Sequence, residues 1–194
     1  MIKALIGAGG FANEISIYDD IIYKFVDDIY YNNEDFIHKL SEFNVDIFQV
    51  VIAIGDSRKR YEQYLKLPKG CTYFSIISDL AHILDKNTVT IGKGSVICAG
   101  SILTTNITIG NHAHINLNTT IGHDCVIGDF FTTAPGVNIS GKCKIGDRVY
   151  IGSNATIREK ITICDDVIIG LNSGVVKDIT EPGVYVGTPA IKIK

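Results

Sequence analysis

From Ile91 onward an aliphatic residue returns at every sixth position: Ile91, Ile97, Leu103, Ile109, Ile115, Ile121, Ile127, Thr133, Ile139, Ile145, Ile151, Ile157, Ile163, Ile169 and Val175. Fourteen of these fifteen are Ile, Leu or Val, and the step never slips. A period of six excludes an α-helix, whose apolar stripe recurs at three and four, and it excludes hairpin strands, which alternate every two. Four residues after each aliphatic stands a mostly small or β-branched residue, such as Ser95, Ala113, Cys125 and Val137. One and three residues after it, Gly, Asn and Asp cluster, as in Gly92, Gly94, Gly122, Asp124 and Asn172. Those types accept tight or positive-φ corners. Such units wind three to a turn, so that the aliphatic side chains stack in columns inside a three-sided parallel β-helix. Five coils at strand spacing give a prism roughly 24 Å tall. Its exposed ends and flat faces favour capping and side-to-side association.

Residues 1–80 have another texture. Ile2–Ile6 reads as a strand, followed by Gly7-Ala8-Gly9-Gly10-Phe11-Ala12 and a short helix from Asn13 to about Asp20. Tyr23–Val26 is a second strand ending at Asp27-Asp28, Gln49–Ile54 a third stopped by Gly55-Asp56, and Cys71–Ile76 a fourth, with a helix from Arg58 to Leu67 between them. Strands alternating with helices predict a small Rossmann-like parallel sheet in residues 1–80, ahead of the β-helix in 81–194. Gly7-x-Gly9-x-x-Ala12 matches a dinucleotide fingerprint, with Asp27 twenty residues after Gly7. The unit is too short for a full dinucleotide fold. A nucleotide or nucleotide sugar would use the same glycines, helix amides and acid, and a plain βα turn that needs glycine explains the motif equally well.

Net charge is -3 with no basic run, which argues against nucleic-acid binding. The apolar stretch at the amino terminus is too short for a signal core or a membrane span, and a cytoplasmic location is expected. The five cysteines form no CxxC pair and read as small buried hydrophobes.

Among five histidines, His38 and His82 read as surface or boundary residues. His112 and His114 share the hexad IGNHAH, but no third metal ligand recurs, so they read as solvated corner residues. His123 stands at a corner beside Asp124, and spacing alone favours an incidental exposed histidine. For acyl transfer, however, a histidine with a carboxylate partner is a suitable base, and an amide donor should meet the oxyanion. Gly141, eighteen residues on, lies one coil along the stack, within a strand spacing of His123.

GAGGFA after the first strand, FVDD after the second, VIAIGDS after the third, the hexad array, HDCVIGD and the closing GVYVGTPA together resemble one family. It is the sialic acid O-acetyltransferase-like group of hexapeptide-repeat sugar acetyltransferases, especially the bacterial nucleotide 4-amino-sugar N-acetyltransferases. The resemblance implies a left-handed coil and a homotrimer with active sites between subunits. It implies His123 as general base with Asp124 as its partner, and acetyl-CoA as co-substrate with no metal. Acetyl-CoA would run along Gly141, Gly152 and Gly170, and Thr132, standing where relatives often carry a second histidine, would hydrogen-bond its thioester arm. The substrate would be a UDP- or dTDP-linked 4-amino-4,6-dideoxyhexose, with Gly9, Gly10, Phe11, Asp27, Asp28, Gly55 and Asp56 holding its nucleotide part and Asn116 near the sugar. O-acetylation of sialic acid or another sugar hydroxyl, and a non-catalytic scaffold, are the alternative readings.

Overall fold

The computed structural model covers residues 1–194. The amino-terminal unit comprises β1 (Ile2–Ile6), α1 (Gly10–Ser16), β2 (Tyr23–Val26), β3 (Ile37–Lys39), β4 (Phe48–Ile52), α2 (Ser57–Lys66) and β5 (Thr72–Tyr73). The strands form one parallel sheet in the order β3-β2-β1-β4-β5. The central strands are apolar on both faces because both faces are covered. Leu5 and Val51 pack with α1 and with Val96 and Cys98 of the coil. Ala4, Ile6, Val50 and Ile52 pack with Phe25 and Leu67 on the other side.

Three local expectations shift. β3 went unseen, because the three residues Ile-His-Lys carry no pattern of their own. α1 starts at Gly10 rather than Asn13, with extended Gly9 as its N-cap residue. The fourth strand is only Thr72–Tyr73, and Ile76–Ile77 pairs instead with Val96–Ile97 as the first strand of the coil.

The second unit is a left-handed parallel β-helix with three parallel sheets as its faces. Neighbouring coils stand eighteen residues apart, as in the column Leu103, Ile121, Ile139, Ile157 and Val175 of the first face. From Ile97 to Val175 both inward positions of every hexad are buried. Thr133, the polar exception in the aliphatic column, satisfies its hydroxyl with the Asn116 N–H and the Thr119 hydroxyl, each at 2.9 Å.

The corners divide their glycine and asparagine preferences between two causes. Every sixth residue from Gly94 to Asn172 is left-handed, with φ between 53° and 75°. Glycines one residue after the aliphatic are not left-handed. They lack a side chain because the next coil is too close: a Cβ on Gly122 would lie 2.7 Å from the Gly141 nitrogen.

The first face runs through Thr120–Ile121 and the second through Val126–Ile127. The third runs through His114–Ile115 and Thr132–Thr133, and its far end carries Gly183–Val186 and the antiparallel Ile191–Lys192. The amino-terminal unit sits on the third face and on the corner between the second and third. The corner between the first and second faces, which holds His123, is therefore the vertex opposite that docked unit.

Candidate active site

At that vertex the left-handed backbone of Asp124 (φ 61°) turns its carboxylate beside the preceding side chain. His123 Nδ1 lies 2.7 Å from Asp124 Oδ2, while Asn106 Nδ2 donates to Asp124 Oδ1 at 2.6 Å. The Asn106 bond first, and the His123 bond second, hold the Asp124 carboxyl below its usual range. The pair is thus anchored one coil back by a residue that sequence reasoning overlooked, although Asn106 stands eighteen positions before Asp124.

The other imidazole nitrogen, Nε2, faces the next coil. A Cβ on Gly141 would lie 2.7 Å from it, so only glycine leaves room for the ring as placed. The Gly141 N–H has no backbone acceptor, whereas the neighbouring Lys142 N–H donates to the His123 carbonyl at 2.7 Å. On the corner between the second and third faces, the N–H groups of Asn111, Asp129 and Asp147 are each capped by an Asp carboxylate one coil on. At Gly141 that ladder is absent and the amide stays free. An exposed imidazole oriented by a carboxylate, with a free amide donor one strand away, is an arrangement suited to deprotonating a nucleophile and stabilising an oxyanion.

The remaining sequence-selected residues lie elsewhere. Phe11, Gly55, Asp56, Asn116 and Thr132 line one cavity of about 490 Å³ between the amino-terminal unit and the third face, joined by Glu14, which the sequence reading did not select. Gly9 and Asp27 line a second, of about 400 Å³, with Gly7, Tyr30 and Gln63. Gly10 lines neither. Asp28 turns to Ser41, accepting from its N–H at 3.1 Å and its hydroxyl at 2.7 Å. Gly152 and Gly170 occupy the corner between the first and third faces, away from Gly141. A Cβ on Gly152 would lie 2.6 Å from Leu171 N, and one on Gly170 2.7 Å from Val186, so coil packing alone demands glycine at both. The Thr132 hydroxyl accepts from Arg60 Nη2 at 2.7 Å and donates to the Gly55 carbonyl at 3.1 Å, which uses its single proton inside the interface.

His112 and His114 overturn their reading as solvated corner residues: both are buried under the amino-terminal unit. His112 stacks on Phe130 at 4.9 Å and meets Tyr73 edge-on. His114 Nδ1 lies 3.1 Å from Arg60 Nη1, which makes it an acceptor and the ring neutral. Burial, then the Arg60 charge, pushes His112 down from 6.5 to about 4, and the same causes push His114 down as well. A guanidinium beside both rings also makes this a poor place for a metal cation.

A pH dependence of stability follows from these two rings. The unfolded chain protonates His112 near 6.5, and the folded chain resists until about 4, so stability is whole above the first value and declines between the two. The expected loss from His112 alone is on the order of 3 kcal/mol by pH 4. Urea midpoints between pH 7.5 and 4 measure it. His112→Asn, which tolerates the left-handed corner, should flatten the slope, and an unchanged slope would exclude His112 as its source.

The family model "Bacterial transferase hexapeptide (six repeats)" matches residues 118–159 and 142–177. The GDP-perosamine N-acetyltransferase of Escherichia coli O157:H7 is 34% identical over 89 residues, which span 46% of this chain and only 39% of that protein. PerB from Caulobacter crescentus, solved with CoA and GDP-perosamine, superposes with a TM-score of 0.89 at 23% identity over 100% of this chain and 98% of PerB. The acetyltransferase domain of PglB from Neisseria gonorrhoeae FA1090, in complex with acetyl coenzyme A, gives 0.86 at 23% over 98% of each chain. These two establish a shared fold. WeeI from Acinetobacter baumannii AYE is 30% identical over 100% of both chains, with a TM-score of 0.88. An end-to-end relative at that identity, together with the repeat model lying on the coil, shows that the chain belongs to the hexapeptide-repeat sugar acetyltransferases.

Proposed function

We propose that the protein is an acetyl-CoA-dependent N-acetyltransferase acting on the 4-amino group of a nucleotide-linked 4-amino-4,6-dideoxyhexose, in the cytoplasm, for bacterial surface glycan synthesis. The resemblance suggests a UDP- or dTDP-linked sugar. GDP joins the candidates because the Escherichia coli relative is a GDP-perosamine N-acetyltransferase and PerB was solved with GDP-perosamine. The observation that carries the reading is the His123–Asp124 pair, with Nε2 aimed across the free amide of Gly141.

Acetyl-CoA supplies the acyl carbon and a thiol leaving group. Asp124 holds the proton of His123 on Nδ1, leaving the Nε2 lone pair to take a proton from the acceptor amine as its C–N bond forms. The Gly141 N–H is the donor for the carbonyl oxygen as it gains charge. The proton on Nε2 then passes to the departing sulfur, so that amide and thiol leave and the imidazole returns neutral.

The cavity of about 490 Å³ is the acceptor site in this reading, and the smaller one takes the nucleotide. Within one chain the acceptor cavity lies on the third face and His123 on the opposite vertex. A productive site therefore pairs the cavity of one protomer with the His123 vertex of a neighbour, and a homotrimer with sites between subunits satisfies this. The same division separates Gly141 from Gly152 and Gly170, so one acetyl-CoA touching all three would bridge two protomers.

The test is thiol release from acetyl-CoA with GDP-, UDP- and dTDP-linked 4-amino-4,6-dideoxyhexoses, and separately with sialic acid. Release with one amino sugar supports the proposal. Release with sialic acid alone moves the activity to O-acetylation, and silence with every acceptor returns the scaffold reading. Gly141→Ala supplies a sharper check, because its methyl group displaces the imidazole without straining the backbone. We expect a turnover loss on the order of 10²-fold at unchanged Tm, since small displacements at a reacting centre have costs of that size. Full activity in that variant would exclude the ring position described above.

A further inference from the structure

Arg60, on the first turns of α2, is fully buried and has no carboxylate in its hydrogen-bonding shell. Its Nε donates to the His112 carbonyl at 2.9 Å. Its Nη1 reaches the carbonyls of Ile54 at 2.6 Å and Gly55 at 3.2 Å, and His114 Nδ1 at 3.1 Å. Its Nη2 reaches the carbonyls of Phe130 and Phe131, each at 3.0 Å, and Thr132 Oγ1 at 2.7 Å. The carbonyls of Ile54, His112 and Phe130 take no backbone donor, so this guanidinium is what satisfies them. Burial pulls its pKa down to about 9, which leaves it charged near neutrality.

A buried, unpaired cation is a poor way to gain stability, since its desolvation is not repaid by an opposite charge. The geometry of the fork explains what is obtained instead. Five N–H groups in one plane bridge two segments far apart in sequence, the loop Ile54–Gly55 after β4 and the corner Phe130–Phe131 with Thr132 at the start of the third-face strand. Both segments line the acceptor cavity through Gly55, Asp56 and Thr132. Thr132 closes the ring by donating to the Gly55 carbonyl. A third connection runs through His114, whose ring lies 4.8 Å from Phe11, another wall of that cavity. Asp56 then caps α2 by accepting from the Lys59 N–H at 2.9 Å, so the loop passes into the helix without slack.

We infer that Arg60 is a positioning residue, which fixes the Gly55–Asp56 loop against Thr132 and, through His114, the Phe11 ring, and so sets the shape of the acceptor cavity. The inference rests on the acceptor assignment proposed above. Lysine cannot replace it: three N–H groups on a point charge do not span the seven acceptors.

The experiment compares wild type, Arg60→Lys and Thr132→Val as intact proteins, with steady-state kinetics and amide hydrogen exchange. In Arg60→Lys we expect the acceptor KM to rise about tenfold or more, with the acetyl-CoA KM within about twofold of wild type. Exchange should quicken across residues 53–58 and stay unchanged across residues 137–175 of the coil. Thr132→Val should show the same pattern at smaller size. Equal loss of protection in the coil, or a kcat decrease with both KM values unmoved, would make Arg60 a structural or catalytic group and overturn the inference. A rise in the acetyl-CoA KM alone for Thr132→Val would also overturn it, by returning Thr132 to the co-substrate. If wild type transfers nothing, the functional reading falls, and the exchange pattern at residues 53–58 still decides the role of Arg60.

Discussion

We expect His123→Ala to lower turnover by about 10²–10⁴-fold, the usual contribution of a positioned general base, and to leave the Tm of the coil where it was. Both halves follow from its place on the vertex. The imidazole is more than half exposed and belongs to neither inward column, so truncation opens no cavity. In the proposed mechanism, what is lost is the acceptor for the amine proton. Asp124 cannot substitute, because Asn106 and the left-handed backbone hold its carboxylate away from the position of Nε2. The measurement is kcat for thiol release beside thermal melts of the same preparations. Near wild-type turnover would remove His123 from the base role, and a large drop in Tm would mean that the residue was misread as peripheral.

Ile121→Asp, two residues earlier, should have the opposite signature: the coil is expected not to fold cooperatively. Ile121 is fully buried and stacked between Leu103 and Ile139 in the middle of the first-face column. The flanking backbone donors at Thr120 and Gly122 already donate to the carbonyls of Val137 and Ile139. A carboxyl there finds neither water nor a free donor, and burying it costs several kcal/mol, a large share of the roughly 5–15 kcal/mol that holds a domain folded. A repeat architecture magnifies the damage, because each coil is supported only by its two neighbours. Ile121→Ala is the graded control, with an expected loss of about 2–5 kcal/mol from transfer and cavity effects and retention of the fold. Urea midpoints and far-ultraviolet circular dichroism read all three. An Ile121→Asp protein that unfolds within about 1 kcal/mol of wild type would mean that the column is not the core, since a tolerated buried carboxylate contradicts that assignment.

The period of six was enough to identify both inward columns. It did so because a strand of fixed pitch leaves each side chain no choice but inside or outside, and the corner between strands no choice but a left-handed residue. Ile2–Ile6 and Tyr23–Val26 were legible for a similar reason, as short apolar runs closed by Gly7 and by Asp27-Asp28. His123 beside Asp124 was also legible, since a corner brings adjacent side chains together through local backbone alone.

Tertiary structure decided which outward residues stay outward. His112 and Asp124 occupy equivalent left-handed corner positions, yet the first is buried and the second is only half-buried at the vertex. The difference is the docking of the amino-terminal unit, made through contacts that span 52 residues from Arg60 to His112 and 91 from Ser57 to Arg148. No local pattern encodes a partner at that separation. For the same reason the sequence showed neither that Arg60 would join Gly55 to Thr132 nor that a cavity lined by Phe11, Asp56 and Asn116 would form on the face opposite His123. Periodicity determines the inside of a prism, where one coil repeats the next, whereas its outside depends on which other part of the chain comes to cover it.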